Sequence, residues 1–199
     1  MEHDAPQQIQ DAVERAFRAV PRDLFLPADL RHRAGEDAPL PIGDGQTNSQ
    51  PTTVRNMLTL LEAHEGHRVL DLGAGSGWTT VLLAHLVGPA GEVIGVERQE
   101  SLLGPARAAL AETVPDARAG IRAARPGELG APEEAPFDRI LVSAGARRCP
   151  PELVEQLSED GVMVIPVEQQ MLRVVRRGEE IEQTVHGAYR FVPLIEDPS

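Results

Sequence analysis

The sequence predicts a doubly wound α/β fold built on a mostly parallel, seven-stranded sheet. Two observations support this fold class. From Arg68 onward, apolar runs of strand length alternate with segments of helical periodicity, which is typical of parallel strands joined by right-handed helical crossovers. The last two predicted strands instead follow each other through a polar turn at 178–183, which predicts an antiparallel hairpin that closes the sheet.

The individual elements follow from periodicity and from proline and glycine signals. Apolar residues recur at helical spacing over residues 6–20, and Pro21 ends this helix. A second helix begins at Ser49-Gln50-Pro51 and ends near Gly66. Residues 21–50 have no sustained period, so we expect an irregular functional segment. The other predicted strands are Arg68–Leu72, Glu92–Glu97, Ala119–Ala123, Asp138–Ser143, Val162–Val167, Met171–Arg176 and Ala188–Pro193, and the other predicted helices are 76–87, 99–113 and 150–158.

Length and composition favour one domain in a cytoplasmic protein. The 199 residues suit a single domain over 1–199, with 1–66 as a helical and substrate-loop extension and 67–199 as a ligand-binding core. Cys149 is the only cysteine, and the sequence contains neither a membrane-spanning apolar run nor a signal-peptide core. The net charge of −12 disfavours nucleic acid as a partner, because phosphate backbones would repel it.

A glycine-rich stretch, Val69–Trp78, predicts a ligand site at the end of the first strand of the core. Gly73, Gly75 and Gly77 follow that strand, where a side chain would block the close approach of a ligand. Glu97 ends the next strand, about where a carboxylate that accepts from both ribose hydroxyls belongs. The spacing Gly-x-Gly-x-Gly is not the Gly-x-Gly-x-x-Gly of dinucleotide binders. It favours S-adenosylmethionine, which has no pyrophosphate, over NAD.

A second motif lies upstream in the irregular segment. The stretch Pro39–Pro51 holds two hydroxyl and several amide side chains in a loop directly before the second helix. These groups can orient an anion without neutralising it. The same pattern also suits a capped helix start in which Ser49 is only the structural cap.

Taken together, these stretches resemble protein-L-isoaspartate (D-aspartate) O-methyltransferases over almost the whole chain. The pattern Thr47-x-Ser49-x-Pro51 is specific to that family, whereas generic methyltransferases share only the glycine loop. The other matching stretches are Val20–Phe25, Val69–Gly77, Val96–Arg98, Ala135–Ile140, Val164–Val167 and Phe191–Leu194.

The resemblance implies a Rossmann-like methyltransferase fold that uses S-adenosyl-L-methionine and no metal, and we expect a monomer. It implies that the acceptor is the isoaspartyl carboxylate of a damaged protein or peptide, whose methyl ester cyclises to a succinimide and reopens as normal aspartate. A carboxylate is already ionised near neutral pH, so methyl transfer needs an oriented oxygen and no strong base.

The resemblance also assigns roles to residues. Ser49 is expected to touch the acceptor carboxylate, the Thr47 region to close over the donor, and Asp71 to lie near the donor's ammonium group. The expected donor-binding residues are Asp71, Gly73, Ala74, Gly75, Ser76, Gly77, Glu97, Arg98 and Gly127. The expected substrate-binding residues are Gln46, Asn48, Ser49, Ala144, Gly145 and Arg147.

Three positions depart from the family pattern. Asn48 stands where an aliphatic residue is usual, and Arg147 stands where a proline is usual. Arg125-Pro126-Gly127 replaces a Gly-Asp-Gly whose acid helps to hold the adenine amino group, and Glu128 is the nearest acid. Two alternatives to repair therefore stay open: a divergent enzyme that methylates aspartate in a dedicated peptide during maturation, and a degenerate homologue that binds the donor weakly and has no repair activity.

Overall fold

The computed structural model of the chain describes residues 5–114 and 118–195. Its N-terminal part contains two helices and a small hairpin between them. The predicted first helix is confirmed, and the second ends earlier than predicted, because Glu62 adopts a left-handed conformation with φ of 56°. The helices are α1 (Ala5–Ala19) and α2 (Pro51–Leu61), and the hairpin strands are β1 (Leu40–Gly43) and β2 (Gln46–Asn48).

The hairpin corrects the expectation that residues 21–50 are irregular throughout. Strands β1 and β2 pair antiparallel across Asp44-Gly45, and both turn residues have positive φ. An Asp-Gly dipeptide is a strong signal for this kind of hairpin turn. The strands escaped prediction because they are short and β1 contains Pro41, which normally argues against a strand. Leu40 and Ile42 anchor the hairpin by packing against Leu102.

The remaining elements alternate as predicted and build one seven-stranded sheet. The strand predicted at Val162–Val167 begins earlier, at Leu157, and it therefore shortens the helix predicted over 150–158. Apart from the last strand, the other boundaries agree closely with the sequence prediction. The strands are β3 (Arg68–Leu72), β4 (Glu92–Glu97), β5 (Ala119–Ala123), β6 (Phe137–Val142), β7 (Leu157–Val167), β8 (Gln170–Arg177) and β9 (Glu180–Ala188), and the helices are α3 (Trp78–Val87), α4 (Glu100–Thr113) and α5 (Pro151–Glu155).

The strand order is β5-β4-β3-β6-β7-β8-β9. Strands β3 to β7 are parallel, and β8 and β9 add antiparallel at one edge. The sheet is buried on both faces, because neighbouring strand residues enter different apolar clusters: Val69 and Leu141 pack on one side, and Leu70 and Ile140 on the other. Within the described residues, no helix combines the length and apolarity that a membrane span requires.

The last strand lies earlier in the chain than predicted. Residues Ala188–Pro193 were expected to form it, whereas the structure places β9 at Glu180–Ala188, directly after a turn at Gly178. Strand β9 is an exposed edge strand with few apolar residues, so no hydrophobic alternation marks it in the sequence. The apolar run Phe191–Leu194 instead lies beside the cavity described below.

Candidate active site

A cavity of about 440 Å³ opens at the carboxyl ends of the parallel strands. It lies where β3 is flanked by β4 on one side and by β6 on the other, which is the topological switch point of the sheet. Open α/β sheets bind their ligands at this position. The lining residues come from the β1–β2 hairpin, from the loops after β3, β4, β5 and β6, and from the segment 192–195.

The glycine loop after β3 forms the floor of the cavity. The predicted donor residues Gly73, Ala74, Gly75 and Ser76 all line it, and Gly73 and Gly75 have φ of 84° and 54°. Gly77 does not line the cavity. A Cβ atom there would lie 2.9 Å from Ile121 Cδ1, so this glycine allows the loop to pack against the neighbouring strand.

Glu97 lies at the end of β4 and is almost fully buried. Its Oε2 accepts a hydrogen bond from the Gly75 backbone N–H at 2.7 Å, and its Oε1 accepts one from the Gln99 N–H at 2.7 Å. A carboxylate oxygen has more than one lone pair, so both oxygens can still accept from ribose hydroxyls. Arg98, the next predicted donor residue, also lines the cavity.

Asp71 is fully buried beneath the glycine loop and does not line the cavity. Its Oδ2 accepts hydrogen bonds from the hydroxyls of Thr79 and Thr80 at 2.8 and 2.7 Å. Its Oδ1 is buried and has no partner among the described residues. Burial raises the pKa of this carboxyl to about 6. A buried carboxylate oxygen without a partner fits a cationic ligand group in this region.

The predicted acceptor residues Gln46, Asn48 and Ser49 line the cavity opposite the glycine loop, and so does Thr47, which was expected to close over the donor. Ser49 is not the cap of α2, because the N-cap position is Gln50, whose side chain makes no capping bond. The Thr52 N–H near the helix start is instead bound by Asp37 Oδ1 at 2.9 Å. The Ser49 hydroxyl therefore has no capping role in this structure.

Asn48 is buried, and both polar atoms of its side chain are already bonded within the protein. Its Nδ2 donates to Ser76 Oγ at 3.1 Å, and its Oδ1 accepts from Arg22 Nε at 2.7 Å. The acceptor loop and the glycine loop are thus in direct contact. Arg22 belongs to the matching stretch Val20–Phe25, but no sequence pattern marked it as a site residue.

The loop after β5 forms one end of the cavity. Gly127 lines it, as predicted, together with Arg125, Glu128 and Leu129. Arg125 forms ion pairs with Glu133 and, at 3.5 Å, with Glu128 Oε1. Glu128 Oε2 is buried and has no partner among residues 5–114 and 118–195. A hydrogen-bond acceptor without a partner therefore lies at this end of the cavity.

The loop after β6 contributes to the other side. Ala144 lines the cavity as predicted, but Gly145 and Arg147 do not; Arg148 lines it instead. Gly145 pairs with the C-terminal segment, donating to the Val192 carbonyl at 2.8 Å. Arg148 and the wall formed by residues 192–195 were not predicted, although the apolar run 191–194 was an available signal for the wall.

Among the residues that the structure describes, no group of three or more His, Cys, Asp or Glu side chains is arranged to hold a metal ion. The single tryptophan, Trp78, lines the cavity and packs edge-to-face on Phe17, with 5.4 Å between the ring centroids. Cys149 is half-buried, and burial raises the pKa of its thiol, so it is a poor nucleophile at neutral pH.

The fold, the glycine loop and the acid at the end of the next strand define the class of α/β methyltransferases that use S-adenosyl-L-methionine. Comparison with known proteins gives the family. Residues 3–199 match the model of the protein-L-isoaspartate(D-aspartate) O-methyltransferase family. The chain belongs to the protein-L-isoaspartate (D-aspartate) O-methyltransferase family.

Individual relatives agree with this assignment. The chain is 48% identical over 188 residues to a protein-L-isoaspartate O-methyltransferase of Methanopyrus kandleri, covering 92% of this chain and 83% of the relative. It is 47% identical over 189 residues to protein-L-isoaspartate O-methyltransferase 1 of Anaeromyxobacter sp. strain Fw109-5, covering 92% and 87% of the two chains.

Solved structures agree as well. A Plasmodium falciparum protein described as a protein-L-isoaspartate O-methyltransferase, solved in complex with S-adenosyl-L-homocysteine, matches with a TM-score of 0.84 and 25% identity. The match covers 94% of this chain and 91% of that chain. The reaction product of the donor is therefore a bound ligand in a structure of the same fold.

Proposed function

We propose that the chain is an S-adenosylmethionine-dependent carboxyl O-methyltransferase that acts on L-isoaspartyl residues of proteins or peptides. One observation carries the proposal: the acceptor loop and the glycine loop face the same cavity and are joined by the hydrogen bond from Asn48 Nδ2 to Ser76 Oγ at 3.1 Å. A donor held by the glycine loop and a carboxylate held by the acceptor loop would share one enclosed space, as a direct methyl transfer requires.

Acidic residues at or beneath the cavity suit three separate chemical groups of the methyl donor. Glu97 would accept from the ribose hydroxyls, and the unpartnered Oε2 of Glu128 would accept from the adenine amino group. Asp71 lies buried beneath the glycine loop rather than in the cavity, so the charge on its unpartnered Oδ1 would balance the ammonium from behind that loop. When bound, the donor supplies an electrophilic methyl group on a sulfonium. The strand order places the loop after β5 next to that after β4, so Glu128 lies on the side where a base attached to that ribose would extend.

The acceptor side needs orientation rather than a base. The substrate carboxylate is ionised near neutral pH, so its oxygen is already the nucleophile. The hydroxyls of Ser49 and Thr47 would hold that carboxylate in line with the methyl group. Apolar groups around the cavity, Ile42, Trp78 and Leu194, would exclude water from the transfer.

The product ester would cyclise to a succinimide and reopen in part as normal aspartate, which makes the overall result repair of the protein. We further propose a single-domain, cytoplasmic monomer whose partners are damaged proteins or peptides. The net charge of −12 is unfavourable for nucleic acid.

A second candidate is methylation of an ordinary aspartyl residue in a dedicated peptide. The unusual positions near the substrate favour it: Arg148 lines the cavity, Arg147 is exposed beside it, and Asn48 replaces an aliphatic residue. Two adjacent guanidinium groups could bind an acidic peptide that carries more than one carboxylate.

The deciding experiment measures transfer of labelled methyl groups to two peptides that differ only in one linkage, isoaspartyl or aspartyl. Repair activity predicts label in the isoaspartyl peptide alone, and label in the aspartyl peptide alone selects the second candidate. Calorimetry with S-adenosylhomocysteine completes the test. Absence of label together with absence of binding would overturn both proposals and indicate a degenerate homologue.

A further inference from the structure

Arg22 is a buried guanidinium that is bonded at all three of its nitrogens. It lies in a short 3-10 turn after α1, and only 6% of the residue is exposed. Burial lowers its pKa, and within the described part of the chain its hydrogen bonds go to one side-chain amide and to backbone carbonyls rather than to a carboxylate. Its acceptors are Asn48 Oδ1 at 2.7 Å and the backbone carbonyls of Ala34 at 3.4 Å, Glu36 at 2.9 Å, Ala38 at 2.9 Å, Asn48 at 3.1 Å and Ser49 at 2.9 Å.

Two of these bonds fix the backbone of the acceptor loop. The Nη2 atom of Arg22 donates to the carbonyls of both Asn48 and Ser49. Consecutive peptide groups held by one planar, buried donor have little freedom to rotate. The direction of the Ser49 side chain is thereby set by a residue on a different element.

Asn48 extends this arrangement to the glycine loop. Its side chain accepts from Arg22 and donates to Ser76, and only 4% of the residue is exposed. The aliphatic residue that is usual at this position could make neither bond. The exchange of an aliphatic side chain for an amide therefore adds a polar connection between the two loops of the cavity.

We infer that Arg22 and Asn48 are positioning residues: the Arg22–Asn48–Ser76 network holds Ser49 in register with the glycine loop, so that acceptor and donor meet in line. The inference rests on the proposed function, because Ser49 is placed there as the carboxylate-binding residue. Neither Arg22 nor Asn48 takes part in bond making. Their contribution is to the orientation of a group that does.

The first test is hydrogen exchange of the apo protein, which needs no activity. Asn48→Leu keeps the side-chain volume but removes both bonds, and we expect amides of residues 46–50 to exchange at least tenfold faster. Asn48→Asp keeps an acceptor for Arg22 and one for the Ser76 hydroxyl, and we expect exchange within about threefold of the wild-type rate. The matched control is Asn56→Leu, which removes a hydrogen-bonded amide on α2 outside the cavity and should leave residues 46–50 unchanged.

The second test separates positioning from binding. Asn48→Leu should lower kcat for the isoaspartyl peptide about tenfold, while the affinity for S-adenosylhomocysteine, followed by Trp78 fluorescence, changes less than about threefold. Ser76→Ala should reproduce the fall in kcat, and the double variant should be no slower than either single one, as expected for residues that act as a unit.

The outcomes distinguish this inference from the proposed function. Wild-type exchange rates in Asn48→Leu, an Asn48→Asp protein no better protected than Asn48→Leu, or additive kinetic losses would each overturn the network. Absence of methyl transfer by the wild-type protein would overturn the function, and the exchange experiment would still decide whether the network holds the loop.

Discussion

Glu97 and Gly75 are joined by a hydrogen bond of 2.7 Å from the glycine N–H to the carboxylate Oε2. The acid at the end of β4 therefore shapes the glycine loop as well as facing the cavity. Because its other oxygen is bound by the Gln99 N–H, the carboxylate is oriented before any ligand arrives. A ribose that binds here meets a preorganised acceptor, which lowers the entropic cost of binding.

Ser49→Ala should reduce turnover far more than donor affinity. The hydroxyl is proposed to orient the acceptor carboxylate, and the structure gives it no capping role on α2. We expect kcat for an isoaspartyl peptide to fall at least tenfold, with S-adenosylhomocysteine affinity within about threefold of wild type. Ser158→Ala, which removes a hydroxyl bonded to Asp138 outside the cavity, is the control. Parallel losses of donor binding and turnover would contradict the assigned role.

Glu128 should contribute to affinity only for ligands with an adenine amino group. Glu128→Ala should weaken S-adenosylhomocysteine binding about tenfold or more, because a hydrogen bond to a charged acceptor contributes ~1.5–3 kcal/mol. S-inosylhomocysteine carries a carbonyl in place of the amino group, so its affinity should be unaffected. Calorimetry measures both ligands, and Glu134→Ala, which removes an acid paired with Arg122 outside the cavity, is the control. Equal losses for the two ligands would exclude the contact.

Asp71 should make the unliganded protein less stable as the pH rises. Its pKa is raised to about 6 from an ordinary value of 3.8, so its stabilising contribution is complete well below pH 4 and is lost as the pH passes 6. Asp71→Asn removes this titration. The unfolding free energy of the variant relative to wild type should rise by about 2.4 kcal/mol between pH 4 and pH 7.5, at 1.36 kcal/mol per pKa unit, because about a fifth of the full effect is already lost at pH 4.

Urea denaturation at several pH values measures this difference. His67 titrates in the opposite sense, since burial lowers its pKa to about 4, but it is common to both proteins and cancels. Binding provides a second readout: a cationic ligand group near Asp71 should make S-adenosylhomocysteine bind more tightly at pH 7.5 than at pH 5 in the wild type alone. A pH-independent difference in stability would show that Asp71 does not titrate in this range.

Gly77 and Gly120 should respond oppositely to the same substitution. Gly77 has φ of 88°, and an added Cβ would lie 2.9 Å from Ile121 Cδ1, so Gly77→Ala should destabilise by about 2–4 kcal/mol. Gly120 lies within β5, and an added Cβ there would meet no atom within 4 Å beyond its two neighbours in the chain. Gly120→Ala should stabilise by ~0.5–1 kcal/mol. Thermal unfolding of both variants checks the contrast, which would fail if both shifts had the same sign.

The central parallel strands were predictable because they are buried on both faces. Strands β3 and β4 have the predicted limits, since each is a short, mostly apolar run bounded by turn residues. Strand β5 also has the predicted limits, although Ile121 is its one buried residue. Strand β9 was misplaced because an exposed edge strand needs no apolar pattern. The hairpin β1–β2 was missed because its strands are too short for a period to appear, although its Asp-Gly turn was a usable signal.

The candidate site was likewise predictable from the sequence in some parts and not in others. Loop residues next to glycines, such as Ser76, line the cavity where donor binding was expected, because sequence spacing fixes the strand-to-helix turn. Arg147 and Arg148 could not be told apart, since a loop without periodicity does not reveal which of two neighbours turns inward. The role of Arg22 was hidden for a different reason. Its partners lie 12 to 27 positions away in the chain, and such contacts arise only from the tertiary fold.

The two antiparallel strands at the sheet edge have a consequence for how the cavity is closed. Strand β8 runs antiparallel to β7, and β9 runs antiparallel to β8. Two reversals of direction restore the original one, so β9 runs parallel to β7. The chain therefore leaves β9 at the carboxyl ends of the parallel strands, where the cavity loops lie, and Val192 and Leu194 form hydrogen bonds with Gly145. With an odd number of reversals the same segment would emerge at the amino ends of the parallel strands, and the cavity would lack the wall that residues 192–195 form. The C-terminal segment thus lies beside the candidate site because the number of antiparallel strands after β7 is even.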